Sequence, residues 1–205
     1  MANTEESAAT SAKQADSIYH ERQSLRLCLL HSLNNLLQEK VFAKQDLEEV
    51  CYNLSPNSNF LTNPHKSWFG LGNYDVNVLH GALHQRGYSA AWFDRRKDPV
   101  CLDLTQTFGL IVNQPSSTKL LNLTVPLWKS KHWFAIRRVG EYYYNLDSQL
   151  SEPALIGSSS DVTALLRELL TASEQCQLFV VATADVLDSQ LYLKEAFRNT
   201  SQSSH

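Results

Sequence analysis

His132-Trp133-Phe134-Ala135-Ile136-Arg137-Arg138-Val139-Gly140-Glu141-Tyr142-Tyr143-Tyr144-Asn145-Leu146-Asp147 is the most informative stretch of the chain. Aromatic and β-branched residues fill His132 to Val139 and Tyr142 to Leu146, and Gly140-Glu141 between them suits a two-residue hairpin turn, where glycine accepts a positive φ. With that turn Val139 pairs with Tyr142 and, counting outward, Phe134 faces Asp147. His132 then lies two residues along on the same sheet face and becomes the diagonal neighbour of Asp147, about 7 Å away at the backbone and within side-chain reach. A carboxylate there can accept one imidazole N–H, fix the tautomer and leave the other nitrogen to take a proton from a nucleophile. A loop one residue longer or shorter puts the two side chains on opposite faces, and the competing reading is a surface histidine beside a strand-ending aspartate.

Upstream of the hairpin the periodicity is helical. Leu29, Leu30, Leu33, Leu36 and Leu37 form the stripe of a half-buried helix with Cys28 in its first turn, where free backbone N–H groups and the helix dipole favour a reactive thiolate. On residue type alone the commoner reading of Cys28 is a small core thiol. Leu47, Val50, Cys51 and Leu54 mark a second helix that ends before Ser55-Pro56, since proline disfavours continuation. Asp75 to about Gln85 reads as a third, closed by Gly87, and Pro64 to Gly72 as a loop. Short β-type runs follow at Ala90–Phe93, Gly109–Asn113 and Leu178–Thr183 besides the hairpin, with one helix around Val162–Leu170. Helices first and strands later predict an α+β fold, N-terminal helices packed on an antiparallel sheet. A polar tail over residues 1–16, a main domain over 17–184 and a C-terminal extension over 185–205, partly disordered, complete the expected organisation.

The 205-residue chain is 43% hydrophobic, enough apolar material for one domain to bury a core, and this rules out wholesale disorder. Eighteen basic against twenty-one acidic side chains leave no positive field to collect nucleic acid or anionic lipid. No apolar run approaches the ~20 residues of a membrane helix, and the N-terminus lacks the order of a signal peptide, so a cytoplasmic, monomeric protein with free thiols is expected. Cys28, Cys51, Cys101 and Cys176 are too scattered for a zinc site, and His80 and His84 lack the glutamate a zincin helix requires, so no metal or cofactor is expected. Cys28 and His132 are what remains for chemistry.

Tyr19-His20-Glu21-Arg22-Gln23 followed by Leu27-Cys28-Leu29-Leu30-His31-Ser32-Leu33-Asn34-Asn35-Leu36-Leu37-Gln38 resembles the opening of the Josephin family of cysteine deubiquitinases. His132-Trp133-Phe134-Ala135-Ile136-Arg137 and Tyr144-Asn145-Leu146-Asp147-Ser148 resemble its second signature, and Gly72 to Val78 is similar to the short stand-alone members. The resemblance spans about Ile18 to Thr183. It implies a papain-like fold and hydrolysis of isopeptide bonds, with ester bonds also accessible, at the C-terminal glycine of ubiquitin. Carried over by position, Cys28 is the nucleophile, His132 the general base and acid, Asp147 the group orienting the histidine, and Gln23 an oxyanion donor. Some members have asparagine where this chain has Asp147, which accepts the histidine N–H equally well and adds a charge. Val76, Asn77 and Trp133 are implied as contacts to ubiquitin, the expected partner together with ubiquitinated proteins. The stretch from about Val41 to Trp68 reads as a mobile arm over the cleft. A ubiquitin-binding adaptor with little turnover and a hydrolase of a ubiquitin-like modifier are the alternatives.

Overall fold

Helices form where the apolar stripes place them. The computed structural model describes residues 18–24, 26–58, 63–65, 74–115, 119–120, 123–124 and 131–198. Helix α1 (Cys28–Leu37) begins at the cysteine itself, and α2 (Lys44–Leu54) stops immediately before Ser55-Pro56. Helix α3 (Val76–His84) is capped by Asp75, whose carboxylate accepts the backbone N–H groups of Asn77 and Val78. The strands are β1 (Ser89–Trp92), β2 (Gly109–Pro115), the short pair β3 (Lys119–Leu120) and β4 (Leu123–Thr124), β5 (Lys131–Val139), β6 (Tyr142–Asn145), β7 (Ala154–Gly157) and β8 (Gln177–Ala182). Helix α4 (Ser159–Ala172) separates the last two, and α5 (Ala184–Asp188) and α6 (Glu195–Arg198) follow. The expected polar tail over 1–16, the last seven residues of the expected C-terminal extension and most of the expected loop from Pro64 to Gly72 lie outside the described residues.

Six strands form one antiparallel sheet in the order β1-β8-β2-β5-β6-β7. The central hairpin has the expected register: Val139 pairs with Tyr142 and Ile136 with Asn145. Gly140 takes φ 62° as the first central residue of its turn, which matches the twist of the flanking strands. Beyond the end of β6 the Leu146 N–H still donates to the Ala135 carbonyl at 2.8 Å, and that bond steers Asp147 toward His132. Strand β7 has no counterpart among the expected elements. Its residues Ala154-Leu155-Ile156-Gly157 do not alternate, the first two are exposed, and it joins the sheet edge through a register shift beside Tyr143 and Tyr144.

Alternate residues of the sheet feed two cores. Ile111, Trp133, Ala135, Tyr144, Phe179 and Val181 pack with α1, α2 and α3. Leu110, Val112, Phe134, Ile136, Leu178 and Val180 pack with Val162, Leu166 and Leu170 of α4. Period-two burial of this kind is what a sheet covered on both faces requires. Helix α1 lies close against the sheet because residue 109 is glycine: a Cβ there would sit 2.6 Å from Leu36 Cδ1 and 2.9 Å from the Ile136 carbonyl oxygen. Helix α2 buries Leu47, Val50 and Cys51 in the same core, so that half of the expected arm is packed, while part of the remainder lies outside the described residues. After α5 the chain returns to the body, where Leu193 is buried, bridges to Leu102, and the Lys194 N–H donates to the Cys101 carbonyl at 2.9 Å. Among the described residues no helix is long and apolar enough to cross a membrane.

Candidate active site

Cys28 is the first residue of α1, and the first turn carries neither a side-chain cap nor an acidic residue. The dipole at that end is therefore unopposed and favours a thiolate. Its side chain is nearly buried and its Sγ lies 3.9 Å from the carbonyl oxygen of Lys131, the residue before His132. Two segments 103 residues apart thus meet at the thiol.

His132, 4% exposed, places Nε2 2.7 Å from Asp147 Oδ1. A carboxylate only accepts, so Nε2 carries the hydrogen and Nδ1 is left as the basic nitrogen. Asp147 is itself held, since its backbone N–H donates to Asn145 Oδ1 at 3.0 Å and its Oδ1 accepts the Gln149 N–H at 2.8 Å. Burial alone pulls the imidazole toward the neutral form. Hydrogen bonds to Asp147 and Cys28, with the charges those groups carry, outweigh it and push the His132 pKa up to about 9. A histidine that holds its proton beside a helix-start cysteine is the electrostatic setting of a thiolate–imidazolium pair.

Gln23 is half-buried, its backbone N–H donates to the Ser148 carbonyl at 2.7 Å, and its side-chain Oε1 is buried with no protein partner among the described residues. The segment bearing it is fastened to α1 by polar groups. Glu21 accepts from His31 Nδ1 at 2.7 Å, from Asn34 Nδ2 at 3.1 Å and from the Tyr19 hydroxyl. Asn35 accepts the Glu21 N–H at 2.6 Å and donates to the Leu146 carbonyl at 3.0 Å. Gln38 closes α1 in the left-handed region and exchanges two hydrogen bonds with the Tyr19 backbone. Burial would raise the Glu21 carboxyl, but its bonds to Tyr19, His31 and Asn34 and the charge of His31 hold it below the usual range. These residues brace Gln23 on one side and the turn carrying Asp147 on the other. Reading α1 as half-buried missed them, for Ser32, Asn34 and Asn35 are as buried as the leucines. The signal was a second stripe, His31, Asn34, Asn35 and Gln38, at helical spacing and made wholly of hydrogen-bonding side chains.

Of the expected partner contacts, Val76 is half-buried and Asn77 exposed at the start of α3. Trp133 is 1% exposed, and its indole N–H donates to the Tyr74 carbonyl at 3.2 Å. Tyr74, Asp75, Val76 and Trp133 line a cavity of about 290 Å³ that also reaches Asn113, Lys131 and Gln177. Lys131 and Gln177 border in turn a wider depression of about 850 Å³ under Trp92, Arg95 and Arg96. Lys131, against whose carbonyl Cys28 rests, thus borders both hollows. The other three cysteines are buried and outside any disulfide, and burial pushes the thiols of Cys101 and Cys176 upward.

A cysteine opening a helix, set against a strand histidine that a following aspartate holds, on an α+β frame of helices and antiparallel sheet, is a papain-like layout. The family model described as Josephin matches residues 23–182, and the chain belongs to that family. It is 44% identical to Josephin-2 of Mus musculus over 177 residues, 86% of this chain and 92% of that protein. It is 45% identical to a Josephin-like protein of Drosophila melanogaster over 186 residues, 89% and 83% of the two chains. Ataxin-3 of Homo sapiens is more distant, 26% identical over 182 residues that make up 81% of this chain and 45% of that one.

Proposed function

We propose that this chain is a cysteine-dependent deubiquitinase that hydrolyses isopeptide bonds, and by the same chemistry ester bonds, at the C-terminal glycine of ubiquitin. The observation that carries the reading is the 2.7 Å contact between His132 Nε2 and Asp147, which leaves Nδ1 of the same ring to serve Cys28 at the start of α1. Membership of the Josephin family supports ubiquitin as the modifier.

In this reading the Cys28 proton passes to His132 Nδ1 and the thiolate attacks the glycine carbonyl carbon. The oxyanion that forms is met by the Cys28 backbone N–H and the Gln23 side-chain amide. His132 protonates the departing lysine amine, then takes a proton from the water that hydrolyses the thioester. Asp147 keeps the ring oriented and compensates the imidazolium. Val76, Asn77 and the rim beside Trp133 receive ubiquitin next to the cleft, and no metal or organic cofactor takes part. Four buried cysteines with no disulfide among them fit work in a reducing compartment inside the cell.

The test is reaction with ubiquitin bearing a C-terminal electrophile, wild type beside Cys28→Ala, read by intact mass. A one-to-one adduct that vanishes in the variant is expected. A folded wild-type protein that binds ubiquitin yet forms no adduct overturns the enzyme reading in favour of an adaptor, and an adduct only with a ubiquitin-like modifier overturns the substrate.

A further inference from the structure

One buried amide on α1 bonds both of the segments that serve Cys28. Asn35 stands about two turns after the cysteine and so on the same face of the helix, and it is 0% exposed. Its Oδ1 accepts the Glu21 N–H at 2.6 Å, while its Nδ2 donates to the Glu21 carbonyl at 3.2 Å and to the Leu146 carbonyl at 3.0 Å. A backbone N–H only donates and a carbonyl only accepts, so these partners fix which end of the amide is which and use both of its hydrogens. Glu21 lies just ahead of Gln23, and Leu146 immediately precedes Asp147. The two segments are also tied to each other, since the Gln23 N–H donates to the Ser148 carbonyl at 2.7 Å. Helix, oxyanion segment and aspartate turn thus close a ring of hydrogen bonds in which Asn35 supplies the joints on the helix. His31 and Asn34 reach only the Glu21 carboxylate, and among the described residues no other α1 side chain bonds the Asp147 turn.

We propose that Asn35 is a positioning residue for the hydrolysis, setting the Gln23 amide and the Asp147 carboxylate in place relative to the Cys28 sulfur so that oxyanion donor and histidine orienter are held as one unit. This rests on reading Cys28, His132, Asp147 and Gln23 as the hydrolytic machinery. An oxyanion donor works only over a narrow range of distance from the developing charge, and a displacement of about 1 Å can cost about 10²-fold in rate. The Gln23 Oε1 has no protein partner among the described residues, so the backbone around it does the placing: Glu21 is bonded to Asn35 and the Gln23 N–H to Ser148. Asp147 is flanked in the same way, by Leu146 on Asn35 and by Ser148 on Gln23. With Asn35 shortened the ring opens at both joints on the helix while the Gln23–Ser148 bond remains, and the two segments shift from the sulfur together.

The experiment is steady-state hydrolysis of ubiquitin carrying a fluorogenic C-terminal amide by wild type, Asn35→Ala, Gln23→Ala and the double variant. Leu166→Ala, in the core on the other face of the sheet, serves as a variant that loses stability without touching the ring. Thermal melts give the folded fraction of each protein, and Asn35→Ser, whose hydroxyl can serve one segment but not both, replaces Asn35→Ala if the latter does not fold. Loss of Asn35 is expected to lower kcat about 10²-fold at unchanged KM. Because the loss runs through Gln23 and Asp147, the double variant should lose clearly less than the product of the two single losses. A merely structural role leaves kcat of the folded fraction at the wild-type value, as in Leu166→Ala, and that result overturns the proposal. A double variant whose loss equals the product overturns it too. Folded wild-type protein that hydrolyses no ubiquitin substrate overturns the function itself, an outcome distinct from an active enzyme indifferent to Asn35.

Discussion

Cys28 and Cys176 are almost equally hidden, 5% and 4% exposed, yet the two faces of the sheet treat them in opposite ways. Cys176 lies in the core beneath α4 among Leu170, Leu178 and Val180, and burial pushes its thiol upward, with Arg95 only partly opposing the effect. Cys28 belongs to the core under α1, α2 and α3, but it opens a helix and has an imidazole in hydrogen-bonding range. Shielding from water raises the cost of a charge on either sulfur. Only around Cys28 do a helix terminus, a protonated ring and a carboxylate answer that cost. Accessibility alone therefore does not separate a nucleophile from a structural thiol; the neighbours do.

The largest effect that could break this comparison is at the sulfur. Cys28→Ala should abolish hydrolysis of ubiquitin conjugates, whereas Cys176→Ala and Cys101→Ala should keep the wild-type kcat and lose only the stability of a small buried side chain. Measured turnover that survives Cys28→Ala, or disappears with Cys176→Ala, reverses the assignment. Next in size is Asp147→Ala, which frees the ring and removes its counter-charge. A loss of about 10²- to 10⁴-fold in kcat is expected, by analogy with removal of an orienting or acid–base group, with little change in ubiquitin affinity by titration. On the other face Leu166→Ala should behave in the opposite sense: a stability loss of about 2–5 kcal/mol in denaturant titration, with kcat of the folded fraction unchanged. A parallel fall in kcat there would show that α4 also shapes the site.

How much of this was open to a reader of the sequence follows from the range of the forces involved. The hairpin was legible because a two-residue turn dictates every pair along both strands, and it carries His132 and Asp147 to their meeting without help from elsewhere. Helices α1, α2 and α3 were legible from leucine spacing and from breakers such as Pro56. Strand β7 was not, since four residues at a sheet edge, two of them exposed, owe their conformation to pairing with β6 across a register shift. The polar brace of Glu21 on His31, Asn34 and Asn35 was hidden for a different reason. Its partners lie on separate segments, and burial of amides pays only when the receiving backbone is already in place.

The smallest effect, and the sharpest on the electrostatics, is the pH dependence of stability. His132 is raised from its ordinary 6.5 to about 9 by Asp147 and Cys28 against the pull of burial. A basic group whose folded pKa exceeds its unfolded one stabilises the fold fully below the unfolded value, and that contribution is lost as pH rises through the folded value. Between about pH 6.5 and 9.5 the wild-type melting temperature should therefore fall. Asp147→Asn still accepts the Nε2–H but carries no charge, so its His132 should be less raised and its fall shallower. Each 1 kcal/mol of difference corresponds to about 2–4 °C for a chain of this size, within reach of calorimetry. Cys101 and Cys176 also destabilise the fold as they are forced to ionise at high pH, but they lie in the α4 core and act equally in both proteins. The difference between the two curves thus reports the His132–Asp147 pair alone. Identical falls in wild type and Asp147→Asn would mean that the aspartate charge does not hold the imidazolium, and the contrast between the two buried cysteines would then rest on the helix terminus and the hydrogen bonds of the ring.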